Sequence, residues 1–114
     1  MTRTLCFLVD LASGDAGPAY DNAHRHELPA EVSAGMRACG IIESRIYRLR
    51  DRLVMILHVD EGFSMQRAAE LNAGVPEIQA WNRRMAALQR APFSDATSWM
   101  QAECVFEMPH ATEI

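Results

Sequence analysis

The sequence lacks the motifs that mark several large enzyme classes. It contains no glycine-rich phosphate loop and no G-x-S-x-G elbow, so phosphoryl transfer and serine hydrolysis have no support. Its three cysteines, Cys6, Cys39 and Cys104, are far apart and include no C-x-x-C pair. Because three cysteines cannot complete an even disulfide framework, and their surroundings are apolar, we expect buried thiols in a reducing compartment.

Long hydrophobic runs and basic stripes are also missing. The N-terminal apolar run Leu5–Val9 ends at Asp10, too early for a signal peptide or a membrane span. The formal net charge is −4, and the arginines of residues 45–52 are diluted by Asp51 and Glu43. We therefore expect a cytoplasmic protein that binds neither nucleic acid nor membrane.

The length and the hydrophobic pattern predict a single domain over residues 1–114. Alternating or wholly apolar runs predict four strands, and stripes of helical period predict the helices between them. Pro29 should interrupt the first helix, whereas Gly40 should end it. The predicted strands are 2–11, 41–49, 53–59 and 102–108; the predicted helices are 18–39, with its break, 64–71 and one that starts at Pro76. The order β-α-β-β-α-β is typical of the ferredoxin-like α+β fold, with both helices on one face of an antiparallel sheet.

The first and third predicted strands are apolar on both faces. Helices on one side of the sheet would leave the second apolar face in water. We therefore expect a homodimer that buries this second face, which makes the assembly a dimeric α+β barrel.

One helix face carries the side chains best suited to chemistry. Tyr20, His24 and Leu28 are four residues apart and share a face that continues into apolar Val32 and Met36. An imidazole and a phenol one turn apart and directed inward can move a proton on a small polar ligand. The alternative is purely structural: Tyr20 packs with its hydroxyl satisfied, and His24 is a hydrogen-bonded core histidine.

The pattern does not favour a metal or another cofactor. His24 and His26 lie two apart on a helix and point away from each other, while His58 lies on a strand and His110 in the tail. No cysteine pair or carboxylate cluster completes a ligand shell. Trp81, on the stripe of the last helix, suits either the core or the apolar face of a sugar, and Asn82 beside it offers a donor and an acceptor.

Together these residues resemble the L-rhamnose mutarotase family, which includes related L-fucose mutarotases. The likeness runs from the first strand to Phe106. It is carried by Cys6-Phe7-x-Val9, by Tyr20-x-x-x-His24 followed by Leu28-Pro29, by Gly40 with Ile46-Tyr47, by Trp81-x-x-x-Met85, and by Val105-Phe106. The resemblance implies a cofactor-free isomerase that interconverts the α and β anomers of a 6-deoxy sugar. It also implies that His24 transfers the proton and that Tyr20 and Trp81 bind the sugar.

The sequence departs from the pattern of the L-rhamnose mutarotases at the positions that the resemblance places around the sugar. Asn82 stands where those enzymes have a second tryptophan, Ser44 replaces a tyrosine, Leu28 replaces a tryptophan, and one residue is inserted after Pro29. Ser44 and Asn82 thus become candidate substrate-binding residues. A single tryptophan followed by a carboxamide is closer to the fucose branch, so the choice between L-rhamnose and L-fucose stays open.

Two other functions compete with this one. The dimeric α+β barrel also hosts cofactor-free monooxygenases, which need a larger and more apolar cavity. A non-enzymatic small-ligand-binding module would leave His24 with a structural role only. A long apolar tunnel would favour the first of these alternatives, and a pocket filled by side chains would favour the second.

Overall fold

The fold is a five-stranded antiparallel sheet with four helices, seen in a computed structural model that describes residues 1–94 and 98–109. The bounds of the elements are β1 Arg3–Leu11, α1 Ala16–His26, α2 Ala30–Ala38, β2 Ile41–Leu49, β3 Arg52–Val59, α3 Met65–Asn72, α4 Pro76–Ala87, β4 Gln89–Arg90 and β5 Met100–Ala102. The ferredoxin-like α+β prediction is confirmed. The four helices correspond to the predicted helix with its break at Pro29, the short helix over 64–71 and the helix that starts at Pro76.

The helix boundaries follow from local chemistry that the sequence already displays. Pro29 separates α1 from α2. The second helix ends at Ala38, two residues before Gly40, whose positive φ of 101° suits only glycine without strain. The Ser64 side chain accepts a hydrogen bond from the Arg67 backbone N–H and caps α3. Pro76 occupies the first turn of α4, where its missing N–H costs nothing.

The strands lie side by side in the order β2-β3-β1-β4, and β5 also pairs with β1. A tight hairpin joins β2 to β3 through Arg50, which has a positive φ of 57°. Val9 lies opposite Leu53, and Ile46 lies opposite Met55. Since directly paired residues of an antiparallel sheet point to the same side, this register defines two faces.

We call the side packed by helices the helix-side face. Its buried residues form two clusters with the helices, one around Tyr20 and Trp81 and one around Phe63. The strand residues in these clusters are Phe7, Val9, Leu11, Leu53, Leu57 and Val59. The opposite side, which we call the open face, is centred on half-buried Cys6, Leu8, Val54 and Ile56.

The prediction for the last strand is wrong. We expected a strand over 102–108 with Ala102, Cys104, Phe106 and Met108 inward, but β5 ends at Ala102. From residue 103 to residue 109 the chain has no regular structure, and Phe106 is 77% exposed. An alternating pattern indicates an extended segment but does not supply the neighbouring strand that would pair with it. The short strand β4 takes part of the predicted place beside β1, at Asp10 and Leu11.

Two predictions about the cysteines and the tail have mixed outcomes. Cys39 is buried as expected, but Cys6 is only half-buried and Cys104 is exposed because it lies beyond β5. His110 lies outside the described residues, as does part of the predicted loop around residues 94–98. Across residues 1–94 and 98–109, no helix is long and apolar enough to span a bilayer.

Candidate active site

A cavity of 630 Å³ lies between the helix-side face and helices α1, α2 and α4. This volume falls within the range of small-molecule sites, about 300–1,000 Å³. Its lining mixes apolar side chains of the core with polar ones that the strands and helices project inward. Its polar or aromatic lining residues include Tyr20, Asp21, His24, Ser44, Arg48, Trp81, Asn82, Gln89 and Trp99. The cavity therefore brings all five sequence-predicted site residues into one pocket.

Helix α1 supplies the phenol and the imidazole from adjacent turns. The two ring centroids are 4.4 Å apart with an interplanar angle of 35°, so Tyr20 and His24 are in tilted contact. Tyr20 is only 3% exposed, and burial raises its pKa to about 12, although a hydrogen bond from Gln89 opposes that rise. The Tyr20 hydroxyl is therefore neutral at physiological pH and can donate a hydrogen bond.

The hydrogen bond of His24 fixes its tautomer. Its Nδ1 lies 3.0 Å from the backbone carbonyl oxygen of Tyr20, an atom that can only accept. Nδ1 must therefore carry the hydrogen, which leaves Nε2 of the neutral ring with a free lone pair. A histidine in this state can accept a proton at Nε2 and afterwards return it.

The Trp81 ring also contacts the His24 imidazole. Its ring meets His24 edge-on, with centroids 5.1 Å apart and an interplanar angle of 76°. The Arg84 guanidinium lies 5.8 Å from the Trp81 ring centroid, within the range of a cation–π contact. Arg84 also forms an ion pair with Glu27, whose pKa is lowered by the hydrogen bond from that guanidinium. The indole is thus held between α1 and α4.

Asp21, which follows Tyr20 on α1, forms an ion pair with Arg48. Arg48 of β2 donates two hydrogen bonds to the Asp21 carboxylate, from Nε at 3.2 Å and from Nη2 at 2.6 Å. The hydrogen bond from Arg48 lowers the pKa of Asp21, so this carboxyl stays ionised. The same guanidinium donates to the Arg50 backbone oxygen at 3.2 Å. Arg48 therefore ties α1 to the β2–β3 hairpin at the edge of the cavity.

The remaining candidates line the cavity from separate elements. Ser44 projects from β2, where it pairs with Leu57, while Asn82 follows Trp81 on α4 and is exposed. Trp99 lies just before β5, and it packs against both hydrophobic clusters. Ser44 and Asn82 lie where a bound molecule could reach them.

Sequence reasoning missed several polar residues of this pocket, among them Asp21, Arg48 and Gln89. The strand period of two places Arg48 on the same face as Ser44, so this signal was available. Asp21 had no pattern of its own. Gln89 belongs to a very short strand that follows a helix without a recognisable break, and nothing in the pattern indicated it.

The cavity does not resemble a metal centre in the part of the chain that the structure describes. No three histidine, cysteine, aspartate or glutamate side chains approach closely enough there to share an ion. His26 is exposed and does not line the cavity.

The chain is similar to known mutarotases along nearly its whole length. The family model described as L-rhamnose mutarotase matches residues 4–108. An L-fucose mutarotase of Xanthomonas campestris pv. campestris is 36% identical over 116 aligned positions, which cover 98% of this chain and 93% of that protein.

Solved structures share the fold at lower identity. The crystal structure of an L-rhamnose mutarotase from Formosa agariphila superposes with a TM-score of 0.68 at 20% identity, covering 94% of this chain and 99% of that one. Tetracenomycin F2 cyclase from Streptomyces glaucescens, a type-II polyketide cyclase, gives a TM-score of 0.59 at 15% identity, with coverages of 96% and 99%. A dimeric ferredoxin-like protein from an uncultured marine organism gives a TM-score of 0.58 at 12% identity, covering 95% of this chain and 91% of that one.

The polyketide cyclase shows that this fold alone does not decide the activity, since it serves unrelated chemistry. The match of the family model over nearly the whole chain, and the 36% identity to a curated relative, do decide the family. This chain belongs to the L-rhamnose mutarotase family and is an enzyme of the isomerase class.

Proposed function

We propose that the protein interconverts the α and β anomers of a 6-deoxy sugar, L-fucose or L-rhamnose, and that His24 transfers the proton. The observation that carries this proposal is the 3.0 Å contact between His24 Nδ1 and the Tyr20 carbonyl oxygen. Because that oxygen can only accept, Nδ1 is the donor, and Nε2 of the neutral ring is available to a ligand in the cavity that Tyr20, His24 and Trp81 line. The family match supplies the class of reaction, and the pocket supplies groups able to perform it.

The ring opens by two proton movements through one imidazole. His24 Nε2 takes the proton of the anomeric hydroxyl, and the electron pair of that O–H bond forms the C1 carbonyl. The bond from C1 to the ring oxygen breaks, its electron pair passes to the ring oxygen, and the imidazolium returns the proton there. After rotation about C1–C2, the same steps in reverse close the ring on the other face. The histidine ends in its starting state, and no cofactor is consumed.

Tyr20 and Trp81 bind and orient the sugar. The neutral Tyr20 hydroxyl donates a hydrogen bond to a sugar oxygen, and the Trp81 ring covers an apolar C–H face. Ser44 and Asn82 are placed to meet further hydroxyl groups. Because the aromatic wall is reduced at Ser44, Leu28 and Asn82, we expect exchange of L-fucose to equal or exceed that of L-rhamnose.

The open face supports assembly as a homodimer through the sheets. Leu8, Val54 and Ile56 are half-buried on it, and Val105, Phe106 and Met108 of the tail after β5 are 90%, 77% and 74% exposed. A second copy would cover these apolar side chains, and one of the structural neighbours is described as a dimeric ferredoxin-like protein.

Saturation-transfer NMR tests the activity directly, because it measures exchange between anomers without a coupled enzyme. Catalytic amounts of the protein should increase the saturation transfer between the α and β anomeric protons of L-fucose. A detectable increase is also expected for L-rhamnose. A glucose sample serves as the control for general acid–base catalysis by the protein surface. Transfer no faster than in buffer for both 6-deoxy sugars would overturn the proposal, and a strong preference for L-rhamnose would overturn its substrate part.

A further inference from the structure

The Tyr20 hydroxyl has one hydrogen-bond partner among the described residues, and this partner lies outside the set predicted from the sequence. Gln89 Nε2 lies 3.5 Å from Tyr20 Oη, and both side chains line the cavity. We propose that Gln89 is a positioning residue that holds the Tyr20 oxygen as an acceptor and thereby turns the phenol proton toward the substrate. This inference rests on the proposed function.

The local fold brings Gln89 to this place from far along the chain. Residue 89 begins β4 and pairs with Leu11 at the end of β1. The Ala12 backbone N–H also donates to the Leu88 oxygen at 2.8 Å, which fastens the chain just before Gln89. The backbone that carries the amide is thus attached to the core strand, and the side chain lies partly buried above Tyr20.

The donor and acceptor inventory gives the direction of the bond. An amide nitrogen only donates, so the Tyr20 oxygen accepts, and its own hydrogen remains available for another partner. The nearest carboxylate on the helix, Asp21, already receives two hydrogen bonds from Arg48. A sugar oxygen in the cavity can accept this hydrogen. The 3.5 Å separation is long, as expected for a bond that tightens once substrate is bound.

The ionisation of Tyr20 agrees with this arrangement. Burial raises its pKa to about 12, and the hydrogen bond from Gln89 acts in the opposite direction by favouring the phenolate. Removal of the amide donor should therefore raise the pKa of Tyr20 further. A residue that merely filled space at position 89 would not produce this change.

Two substitutions separate positioning from packing. Gln89→Leu removes the donor and leaves the Tyr20 proton free to rotate, so anomer exchange should fall by about three- to tenfold. Gln89→Glu, measured near pH 8 where the new carboxyl is ionised, offers only acceptors and should draw the Tyr20 proton away from the sugar. Its exchange rate should fall below that of Gln89→Leu. Gln101→Glu, at an exposed position of β5, adds the same charge outside the cavity and should exchange anomers at the wild-type rate.

A double-mutant cycle and a titration complete the test. In a Tyr20→Phe background, Gln89→Leu should cause no further loss, because the atom that it positions is gone. Tyrosine labelled with ¹³C at Cζ gives two signals, since the chain has two tyrosines, and Tyr20→Phe identifies the one to follow. Its titration midpoint should move to higher pH in Gln89→Leu. Melting temperatures of all variants show whether each remains folded.

The inference is overturned if Gln89→Glu exchanges anomers as fast as Gln89→Leu, or if Gln89→Leu costs as much in the Tyr20→Phe background as in the wild type. An unchanged Tyr20 titration in folded Gln89→Leu overturns it as well. If the wild-type protein exchanges no sugar, the proposed function fails, yet the titration still reports on the Gln89–Tyr20 bond. The two failures are therefore distinguishable.

Discussion

The two faces of the sheet are built from the same apolar strands but end in different environments. On the helix-side face, Val9 and Leu53 are both 0% exposed beneath the helices and belong to the hydrophobic core next to the cavity. On the open face, their chain neighbours Leu8 and Val54 are only half-buried. One face is thus covered by this chain's own helices, whereas the other is not. Apolar composition on both faces of a strand therefore predicts burial of both, but not by which molecule.

The largest effect should come from a charge on the helix-side face. Val9→Asp buries a carboxylate that has no partner in the core, which we expect to cost about 4 kcal/mol or more and to leave little folded protein. Thermal unfolding followed by circular dichroism measures the loss. Leu8→Asp, one residue away on the open face, is the matched control and should remain folded as a protomer. A Val9→Asp protein as stable as Leu8→Asp would show that the two faces are not distinct.

The same control variant tests the open face. If a second copy covers Leu8, the wild-type protein should have the molar mass of a dimer by light scattering at micromolar concentration. Leu8→Asp should then have the mass of one protomer, because a desolvated charge at the centre of an interface opposes association. A wild-type protein that stays monomeric at this concentration would contradict the proposed assembly.

A smaller effect is expected at the end of β1, where the open face carries an ion pair. The Asp10 carboxylate is mostly buried and accepts hydrogen bonds from Arg52 Nε at 2.8 Å and Nη2 at 3.2 Å. These bonds lower the pKa of Asp10 below its usual value of 3.8, so the unfolded chain binds this proton more readily than the folded one. The resulting stabilisation is present above the unfolded pKa and is lost as the pH falls through the lower folded pKa.

Urea unfolding between about pH 2 and pH 6 measures this dependence. We expect Asp10→Asn to lower the free energy of unfolding by about 1 kcal/mol at neutral pH. The effect is small because Arg52 is partly exposed, so that solvent screens the ion pair. The variant should also show a shallower decrease at acid pH than the wild type. Parallel curves for the two proteins would mean that Asp10 contributes nothing to acid sensitivity.

The sequence predicted the elements whose signals are local. Pro29, Gly40, Ser64 and Pro76 mark boundaries through backbone chemistry that each residue carries by itself, and the structure follows them. The shared inward face of Tyr20 and His24 is likewise a property of one helix, so spacing alone was sufficient to predict it.

What the sequence did not reveal depends on pairing between distant segments. The alternation of Cys104, Phe106 and Met108 resembles that of a buried strand, but among the described residues this segment has no strand beside it. Gln89 reaches Tyr20 only because β4 pairs with the end of β1, a contact that no local pattern encodes. Spacing alone therefore predicted the Tyr20 and His24 part of the candidate site on helix α1, but not the place of Gln89 across the sheet.

The most direct test of the central claim is anomer exchange in His24→Ala, compared with His26→Ala on the same helix. Loss of a positioned acid–base group should reduce the exchange rate by about 10²-fold or more, with the melting temperature showing that the fold is kept. His26 is exposed and does not line the cavity, so His26→Ala should exchange anomers at close to the wild-type rate. If folded His24→Ala exchanges anomers as fast as the wild type, His24 does not transfer the proton, and the account of the site is contradicted.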